Sequence, residues 1–308
     1  MIISHTAAPK SLNGYVGVLG VFDGVHVGHR AVMCDALRYA CLYEKSSAAI
    51  TFDPHPRTIT ANSSPTLLTN FEHKLSILKN IGFDAVWVLP FNETLSRLDG
   101  VSFVREYLVN QLSASDMFFG EGSILGCDKS DAVTACMQCG VSAHSIKPVL
   151  INGEKVSSTR IRTLITSGNL SEASACLGRS ISVIGHVIQG KQLGRTIGFP
   201  TFNLFVESGV IPPLGVYVTE SKFDGKSYDS VTNIGVSPTV NNSDNVTIET
   251  FILDFDENIY GKRIELCFYE KIRDERRFCN FELLKNQIEQ DVSFARAKMR
   301  LFRENDLR

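Results

Sequence analysis

The sequence predicts an α/β domain built on a parallel sheet, followed by an antiparallel β-barrel or sandwich domain and a C-terminal helix. Apolar, β-rich runs alternate with helical runs up to about residue 150, which is the pattern of a parallel sheet wrapped by helices. From residue 181 to residue 272, turn residues separate short β-rich runs, as in antiparallel sheets. The 308-residue length suits two domains, each large enough for its own core.

The elements follow this order along the chain. The expected parallel strands cover residues 15–22, 47–52, 85–89, 116–119 and 143–149. A short linking helix is expected over residues 169–178, and Asp224-Gly225 predicts a hairpin turn. Residues 281–302 predict a helix whose apolar stripe packs on the barrel, formed by Phe281, Leu284, Ile288, Val292, Ala295 and Met299. We therefore expect a first domain at 1–168, a linker at 169–180 and a second domain at 181–308.

Composition limits the classes of partner and location. The chain has a net charge of −2, with 44% hydrophobic and 21% charged residues, so no basic excess favours nucleic acid or an anionic membrane as a partner. No apolar run approaches the length of a membrane-spanning helix. The eight scattered cysteines suit reduced thiols, and we expect a cytoplasmic protein.

The most informative motif is GVFDGVHVGHR at residues 20–30, which places His26 and His29 where a strand becomes a helix. Residues three apart in a first helical turn share a face. The amides at a helix start favour an anion, and the two imidazoles add donors for charge on nucleotide phosphates. His-x-Gly-His in this setting is typical of nucleotidyltransferases, and we include Gly20, Asp23 and Gly28 among the phosphate-binding candidates.

A second motif lies at the end of the second expected strand, where DPHPR covers Asp53, Pro54, His55, Pro56 and Arg57. Ligands of open parallel sheets bind beyond the carboxyl ends of the strands. We therefore expect this motif and the histidine pair to open on one crevice. Taken alone, the segment could instead be a stiff loop with a solvated arginine.

A third motif, SSTRIR at residues 157–162, opens a helical segment that follows the fifth expected strand. Serine and threonine at a helix start are often caps. Two arginines at the same end oppose the helix dipole unless an anion lies there. We therefore favour phosphate binding by Ser158, Thr159 and Arg162, with capping alone as the alternative.

The barrel region carries a glycine-rich stretch, GHVIQGKQLGRTIGFPTFN at residues 185–203. Its glycines let the backbone approach phosphates, while lysine and arginine balance their charge. The candidates there are Gly190, Lys191, Gly194 and Arg195. Thr201 and Asn203 share one strand face and offer hard oxygen ligands suited to Mg²⁺. From pattern alone, Glu249 is better explained as an exposed strand glutamate than as a base.

The motifs of both halves together resemble the bacterial bifunctional riboflavin kinase/FAD synthetase family, from about Gly14 to Arg300. The matching segments are FDGVHVGH, TFDPHPR, SSTRIR, ASACLGR, GKQLGRTIGFPTFN, PPLGVY, NIGVSPT, ETFILDF, IYGKRIEL and IRDERRF. The resemblance implies a Rossmann-like nucleotidyltransferase domain that adenylylates FMN, followed by a six-stranded barrel that phosphorylates riboflavin. Riboflavin, FMN and ATP are then the partners, and Mg²⁺ is the cofactor.

The resemblance also implies individual roles. Thr201 and Asn203 match residues that hold Mg-ATP, and Glu249 matches the base for the ribityl hydroxyl, which reverses the interpretation from pattern alone. Arg273 and Phe278 match the segment that closes over the flavin. In the first domain, His26, His29 and Arg162 match the ATP-phosphate residues, and we assign residues 53–57 to flavin binding.

One segment departs from the family. Where the family usually has Gly-x-Asp/Asn-Phe-x-Phe-Gly, this chain has GEGSILG at residues 120–126, with Gly122 at the polar position and Ser123 and Leu125 at the aromatic ones. Loss of these contacts would slow adenylylation roughly 10- to 100-fold or more. The alternative is a monofunctional riboflavin kinase whose first domain is structural or senses a flavin or nucleotide.

Overall fold

The computed structural model describes residues 2–4, 14–61, 66–189, 198–237 and 245–306. Contacts divide the chain into two units, Met1–Ser158 and Thr159–Arg308. The domain limits expected from the sequence, with a linker at 169–180, stay predictions. Among the described residues, no helix combines the length and the apolar character that crossing a membrane requires.

The first unit is an α/β domain. Its strands are β1 (Ile2–Ser4), β2 (Tyr15–Leu19), β3 (Ser46–Asp53), β4 (Ala85–Pro90), β5 (Ala114–Gly120), β6 (Ile124–Leu125), β7 (Ser130–Asp131), β8 (Ser142–Ile146), β9 (Leu150–Ile151) and β10 (Glu154–Lys155). Its helices are α1 (Val27–Leu42), α2 (Pro56–Thr60), α3 (Phe71–Ile81), α4 (Glu93–Ser96), α5 (Gly100–Phe103) and α6 (Ala132–Gln138), with a π-helical segment at Val104–Gln111.

The main sheet has the strand order β1-β4-β3-β2-β5-β8, and all its pairings are parallel. The expected parallel α/β domain is therefore confirmed, with β1 added at one edge. The chain runs outward from β2 through β3 to β4, and then returns to the other side of β2 with β5. Ligands of such sheets bind at this reversal of strand order, beyond the carboxyl ends of the strands.

Each face of the sheet buries its own apolar cluster, because side chains alternate along every strand. Trp87, Leu108 and Met117 belong to one cluster, under α5 and the π-helical segment. Val18 and Met33 belong to the other, under α1 and α3. The sheet is thus a layer covered on both faces, and its carboxyl edge is left for the loops that carry the first two motifs.

The second unit contains the barrel and the final helix. Its elements are α7 (Ser158–Thr166, whose first residue belongs to the first unit), α8 (Leu170–Leu177), β11 (Ile181–Ile188), β12 (Thr201–Ser208), β13 (Gly215–Phe223), β14 (Lys226–Ser237), β15 (Asn245–Ile252), β16 (Arg263–Arg273) and α9 (Phe281–Asp306). The six strands close in the order β11-β12-β15-β14-β13-β16, with antiparallel pairing throughout. The expected six-stranded antiparallel barrel with a C-terminal helix is confirmed.

The turn between β13 and β14 has the expected two-residue form. Asp224 and Gly225 have φ values of 50° and 72°. Two successive residues at positive φ match the turn that suits the twist of a hairpin, where Asp tolerates the first position and Gly the second. The Asp-Gly signal in the sequence therefore identified this connection correctly.

A chain of hydroxyl groups runs through the barrel interior. Thr219, Ser221, Ser230, Thr232 and Thr250 are all fully buried. Thr219 Oγ1 lies 2.9 Å from Ser230 Oγ and 2.8 Å from Thr232 Oγ1, and Thr232 Oγ1 lies 2.9 Å from Thr250 Oγ1. Ser221 donates to Ser230 at 3.0 Å. Each buried hydroxyl thus has a partner, so the polar interior carries no desolvation penalty for an unmade hydrogen bond.

The apolar stripe of α9 divides into two parts. Ala295 and Met299 are fully buried against Val216 and Val231 of the barrel, as expected. Phe281 is 64% exposed, so the expectation that the whole stripe is core was wrong. Leu284 and Ile288 line a cavity instead. The first half of the helix therefore stands off the barrel, and the space between them is open to a ligand.

Candidate functional site

The two histidines of the first motif are held together at the start of α1. His26 is the N-cap residue, and its Nδ1 accepts a hydrogen bond from the backbone N–H of His29 at 3.3 Å. The two rings stack with their centroids 3.6 Å apart and an interplanar angle of 17°. Phe22 meets the ring of His29 edge-on at 5.4 Å. The pair is therefore oriented by the helix start and by packing, as the spacing predicted.

The two glycines predicted in this motif lie against aromatic rings. A Cβ at Gly20 would lie 2.7 Å from the ring of Phe22, and a Cβ at Gly28 would lie 3.2 Å from the ring of His26. Phe22 itself has a φ of 52°, an unusual value for a non-glycine residue. Both glycines thus leave space for the rings that shape the loop. Their predicted contact with phosphate stays a prediction.

The ring of His29 is electrically neutral in the ordinary pH range. Burial lowers its pKa well below 6.5, and electrostatic interactions with His26 and with Lys74 lower it further. Its Nδ1 is buried and has no hydrogen-bond partner among the described residues. A buried imidazole nitrogen without a partner is a group that a ligand can satisfy.

Asp23 is a buried residue of the loop between β2 and α1, and its hydrogen bonds fix that loop. It is 5% exposed, and its Oδ1 accepts hydrogen bonds from the backbone N–H groups of Leu68 at 2.8 Å and Thr69 at 3.4 Å. Its carbonyl oxygen accepts from Ser158 Oγ at 2.9 Å. Asp23 and Ser158 therefore hold three chain segments together, and their predicted binding of ATP phosphate stays a prediction.

The second motif lies at the end of β3, beside the end of β2. His55 caps α2, with its Nδ1 accepting from the backbone N–H of Arg57 at 3.1 Å, and Pro56 occupies the first helical position. Asp53, Pro54 and Arg57 are exposed. Because β2 and β3 are parallel neighbours, both motifs lie at the same carboxyl edge of the sheet. The predicted shared crevice and the flavin-binding role of residues 53–57 stay predictions.

The third motif forms the start of α7, where Thr159 is exposed and Arg162 is half-buried. The sequence analysis expected the charges of both arginines in this motif to be balanced by a bound anion. This expectation was wrong for Arg160, which forms an ion pair with Glu172 of α8. Residues twelve apart on different helices meet only in the folded chain, so the sequence pattern did not reveal this pair. Arg162 remains the phosphate-binding candidate, as a prediction.

The segment at residues 120–126, which differs from the family pattern, forms a tight turn and the first strand of a two-stranded ribbon. Gly122 has a φ of 75°, and the backbone N–H of Ser123 donates to the carbonyl of Gly120 at 3.1 Å. Leu125 pairs with Ser130 across the ribbon. Backbone hydrogen bonds therefore fix the segment without the aromatic residues usual in the family.

The second unit contains a cavity of about 670 Å³ between the barrel and the start of α9. Four of the residues assigned to riboflavin phosphorylation line it: Thr201, Glu249, Arg273 and Phe278. Glu249 of β15 lies opposite Asn203 of β12 and opposite Asn233 of β14 in the strand ladder. These four residues thus meet around one ligand-sized space, and Asn203 is placed next to Glu249 by the strand pairing.

Thr201 also lines a second cavity, of about 380 Å³. Pro200, Phe202 and Tyr260 contribute to the wall of this second space. A residue shared by two adjoining cavities is well placed to contact two ligands. The other glycine-rich candidates, Gly190, Lys191, Gly194 and Arg195, lie outside the described residues.

Arg273 is fixed to the final helix. Its Nε and Nη2 donate to the carboxylate of Asp291 at distances of 2.8 to 3.1 Å, and Asp291 is 2% exposed. Gln287 donates to the same carboxylate at 2.8 Å. The guanidinium of Arg273 also lies 5.6 Å from the ring of Phe278. The segment after β16 is therefore anchored to α9 at the cavity wall.

Sequence reasoning missed three residues of these sites. Lys74 and Asp291 each lie among apolar residues at helical spacing, Ile77 and Leu78 after Lys74 and Ile288 and Ala295 around Asp291, and a charged residue in such a pattern indicates a buried polar contact. Asn233 lines the larger cavity, and it begins the NIGVSPT segment without having been assigned a role.

Comparisons with known proteins cover both units. The FAD synthetase family model matches residues 8–160, and the riboflavin kinase family model matches residues 177–299. The bifunctional riboflavin kinase/FMN adenylyltransferase of Pseudomonas fluorescens is 33% identical over 298 residues, which cover 95% of each chain. The protein of the same name from Listeria monocytogenes is 35% identical over 290 residues, covering 92% of this chain and 91% of the relative.

The fold has a counterpart of almost the same extent among solved structures. A crystal structure of a Streptococcus pneumoniae protein described as a macrolide-efflux protein matches with a TM-score of 0.88 and 27% identity, covering 96% of this chain and 99% of that chain. The sequence relatives extend through both the α/β unit and the barrel unit described above. The chain therefore belongs to the bifunctional riboflavin kinase/FMN adenylyltransferase family.

Proposed function

We propose that the second unit transfers the γ-phosphoryl group of ATP to riboflavin, giving FMN and ADP, and that the first unit transfers AMP from ATP to FMN, giving FAD and pyrophosphate. The observation that carries the proposal is the position of Thr201 between two adjoining cavities, with Glu249 on the wall of the larger one. Two cavities suit two substrates, and family membership identifies these as riboflavin and ATP.

Glu249 is the base of the kinase reaction in this proposal. Its carboxylate accepts the proton of the riboflavin 5′-hydroxyl as that oxygen attacks the γ-phosphorus and ADP leaves. Asn203 and Asn233 flank Glu249 in the strand ladder and offer amide groups to the ribityl chain or the phosphates. Arg273 and Phe278 form the flavin side of the cavity.

The reaction uses Mg²⁺ with ATP, and Thr201 and Asn203 are the residues that would hold the ion. Alternate residues of a strand face the same way, so the hydroxyl and the amide oxygen lie on one face of β12. Neutral oxygen donors in small number fit Mg²⁺, which keeps several waters and binds phosphates. The ion would neutralise charge on the phosphates during transfer.

The adenylyl transfer needs no base, because the attacking FMN phosphate is already an anion. Its oxygen attacks the α-phosphorus of ATP, and the bond to pyrophosphate breaks. The residues of the first unit must reduce repulsion between the phosphate groups and stabilise the leaving pyrophosphate. We assign this work to His26 and His29, with Ser158 as a further phosphate contact, and the phosphate-binding roles that the resemblance implies for Thr159 and Arg162 stay predictions.

The free nitrogen of His29 supports its role. A neutral imidazole whose Nδ1 has no partner in the described part of the chain can bind a phosphate oxygen as a hydrogen-bond donor in the tautomer that carries hydrogen on Nδ1. The slower adenylylation expected from the departure at residues 120–126 stays a prediction. A monofunctional kinase with an inactive first domain is not favoured, because both family models match and the named relatives are bifunctional.

We also propose a cytoplasmic location. All eight cysteines are free thiols, which is the usual state in a reducing compartment. Riboflavin, FMN and ATP are the small-molecule partners.

The test is a pair of incubations followed by chromatography of the flavins. With Mg-ATP and riboflavin, the protein should form FMN and then FAD, and with Mg-ATP and FMN it should form FAD and pyrophosphate. His29→Ala should lose FAD formation and keep FMN formation. Glu249→Gln should lose FMN formation and keep FAD formation from supplied FMN.

Glu265→Gln is the matched control for Glu249→Gln, because Glu265 is a half-buried barrel glutamate that lines neither cavity. It should keep both activities. A wild-type protein that forms FMN and no FAD would contradict the adenylyltransferase assignment. A folded single variant that lost both activities would contradict the division of labour between the units.

A further inference from the structure

A buried lysine lies beneath the loops of the first unit. Lys74 of α3 is 7% exposed, and its ammonium donates three hydrogen bonds. The acceptors are the carbonyl oxygens of Val21 at 3.2 Å and Phe52 at 3.2 Å, and Thr51 Oγ1 at 3.0 Å. An ammonium has three N–H donors, so these contacts can satisfy all of them. The three oxygens are uncharged, and none of them neutralises the positive charge.

The acceptors place this charge at the carboxyl edge of the sheet. Val21 follows β2 and precedes the loop that leads to His26, while Phe52 lies at the end of β3, one residue before Asp53. Thr51 Oγ1 also donates to the carbonyl of Val21 at 3.3 Å. Lys74 therefore joins the ends of two neighbouring parallel strands, at Val21 of the first motif and at Phe52, one residue before the second motif.

The charged and titratable groups around Lys74 come from each neighbouring element. Burial lowers its pKa to about 8, although Asp53 at the end of β3 and Asp23 in the loop after β2 act to raise it. His29 faces it from α1, and the charge of Lys74 contributes to the lowered pKa of that imidazole. The ring of Phe71, one turn earlier on α3, lies 5.3 Å from the ammonium.

We propose that Lys74 is a positioning residue for FMN adenylylation, which holds the two strand-end loops together and adds a buried positive charge that strengthens binding of the ATP triphosphate. A charge in a low-dielectric setting acts over several ångströms, so it need not touch the phosphates. The inference rests on the proposed adenylyltransferase function of this unit. It adds a cation that belongs to none of the motifs at the site.

The test measures kcat/KM for Mg-ATP in FMN adenylylation from about pH 6.5 to 9.5, because this parameter reports groups that titrate in the free enzyme. In the wild-type protein, kcat/KM should fall as the pH rises through about 8, where Lys74 loses its charge. Lys74→Met should have a kcat/KM at least about tenfold lower at neutral pH, through a raised KM for Mg-ATP, and should lack the fall near pH 8.

Two further variants separate charge from structure. Thr51→Val removes one acceptor that favours the charged amine, so the fall in kcat/KM should move to lower pH. Lys79→Met is the matched control, since Lys79 is an exposed lysine in the last turn of the same helix and should leave the wild-type profile unchanged. Riboflavin phosphorylation by the second unit should stay at the wild-type rate in all three variants.

The proposal is overturned if Lys74→Met keeps the wild-type kcat/KM and pH profile, or if Lys79→Met changes the profile equally. If Lys74→Met does not fold, the profile of Thr51→Val decides, and an unshifted profile overturns the proposal. A wild-type protein without FMN adenylylation would overturn both this inference and the proposed function, whereas an active wild type with an unaffected Lys74→Met would overturn only the inference.

Discussion

Replacing Asp291 by Asn should destabilise the second unit. Asp291 lies on α9 with its carboxylate almost fully buried, and it receives the bidentate contact of Arg273 together with the amide of Gln287. Asparagine has nearly the same volume. It carries no negative charge, however, and it turns an N–H₂ group toward one of the donors of Arg273. The substitution therefore tests the ion pair with little change in packing.

The magnitude follows from the burial of the pair. The side chains of Arg273 and Asp291 are 18% and 3% exposed, so water screens their interaction weakly. Breaking a buried ion pair by removing one partner costs about 3–5 kcal/mol, and the remaining amide oxygen recovers part of this, which leaves about 3 kcal/mol. For a unit of this size, that corresponds to a Tm lower by about 6–12 °C.

Thermal unfolding measured by calorimetry would test this value. The transition of the second unit is identified as the one that added riboflavin shifts upward. Asp254→Asn is the matched control, because Asp254 forms a bidentate pair with Arg296 of the same helix, at a site where Asp254 is 73% exposed. Its effect on Tm should be much smaller, since exposed pairs are screened. Equal shifts for the two variants would refute the argument from burial.

Two other predictions concern the barrel interior and the histidine pair. Ser230→Ala removes a hydroxyl that joins Thr219 and Ser221, so it should lower the unfolding free energy measured in urea titrations by about 1–3 kcal/mol. Ser227→Ala, at an exposed position of the same strand, should change the unfolding free energy by less than about 0.5 kcal/mol. Similar values for the two variants would contradict a stabilising role of the buried hydroxyl groups. The lowered pKa of His29 means that the unfolded chain binds a proton below about pH 6.5 while the folded chain does not, so the stability of the first unit should fall as pH decreases from 7 to 5. His29→Gln should weaken that pH dependence of Tm, and an unchanged dependence would show that other groups cause it.

Much of the fold could be predicted because its signals are local and periodic. The alternation of apolar strands and helices gave the parallel sheet, and the Asp224-Gly225 dipeptide gave one hairpin of the barrel. Strand β1 and the ribbon β9–β10 were missed, because two or three residues are too few to carry a period. The exposed Phe281 was assigned to the core, because the apolar stripe of a helix does not show how much of the helix packs on the barrel.

The site residues that belong to contiguous sequence motifs could be predicted. The spacing of His26 and His29 correctly placed them within one helical turn. The capping hydrogen bond and the stacking of the two rings are visible only in the folded structure. Partners that are distant in sequence were not predictable: Arg160 with Glu172, Arg273 with Asp291, and Lys74 with two strand ends. A charged residue on an apolar helix face signals such a contact and leaves its partner unknown.

The first turn of α1 is capped by an imidazole: the Nδ1 of His26 accepts the hydrogen bond of a backbone N–H. Most N-cap residues are hydroxyls, amides or carboxylates, which keep an acceptor at neutral pH. His26 accepts through Nδ1, so its ring must carry hydrogen on Nε2 alone, and a second proton would turn the acceptor into a donor facing the N–H of His29. The capping bond and the stacked rings therefore depend on one tautomer of a single side chain, so the start of α1 and the orientation of His29 are fixed together.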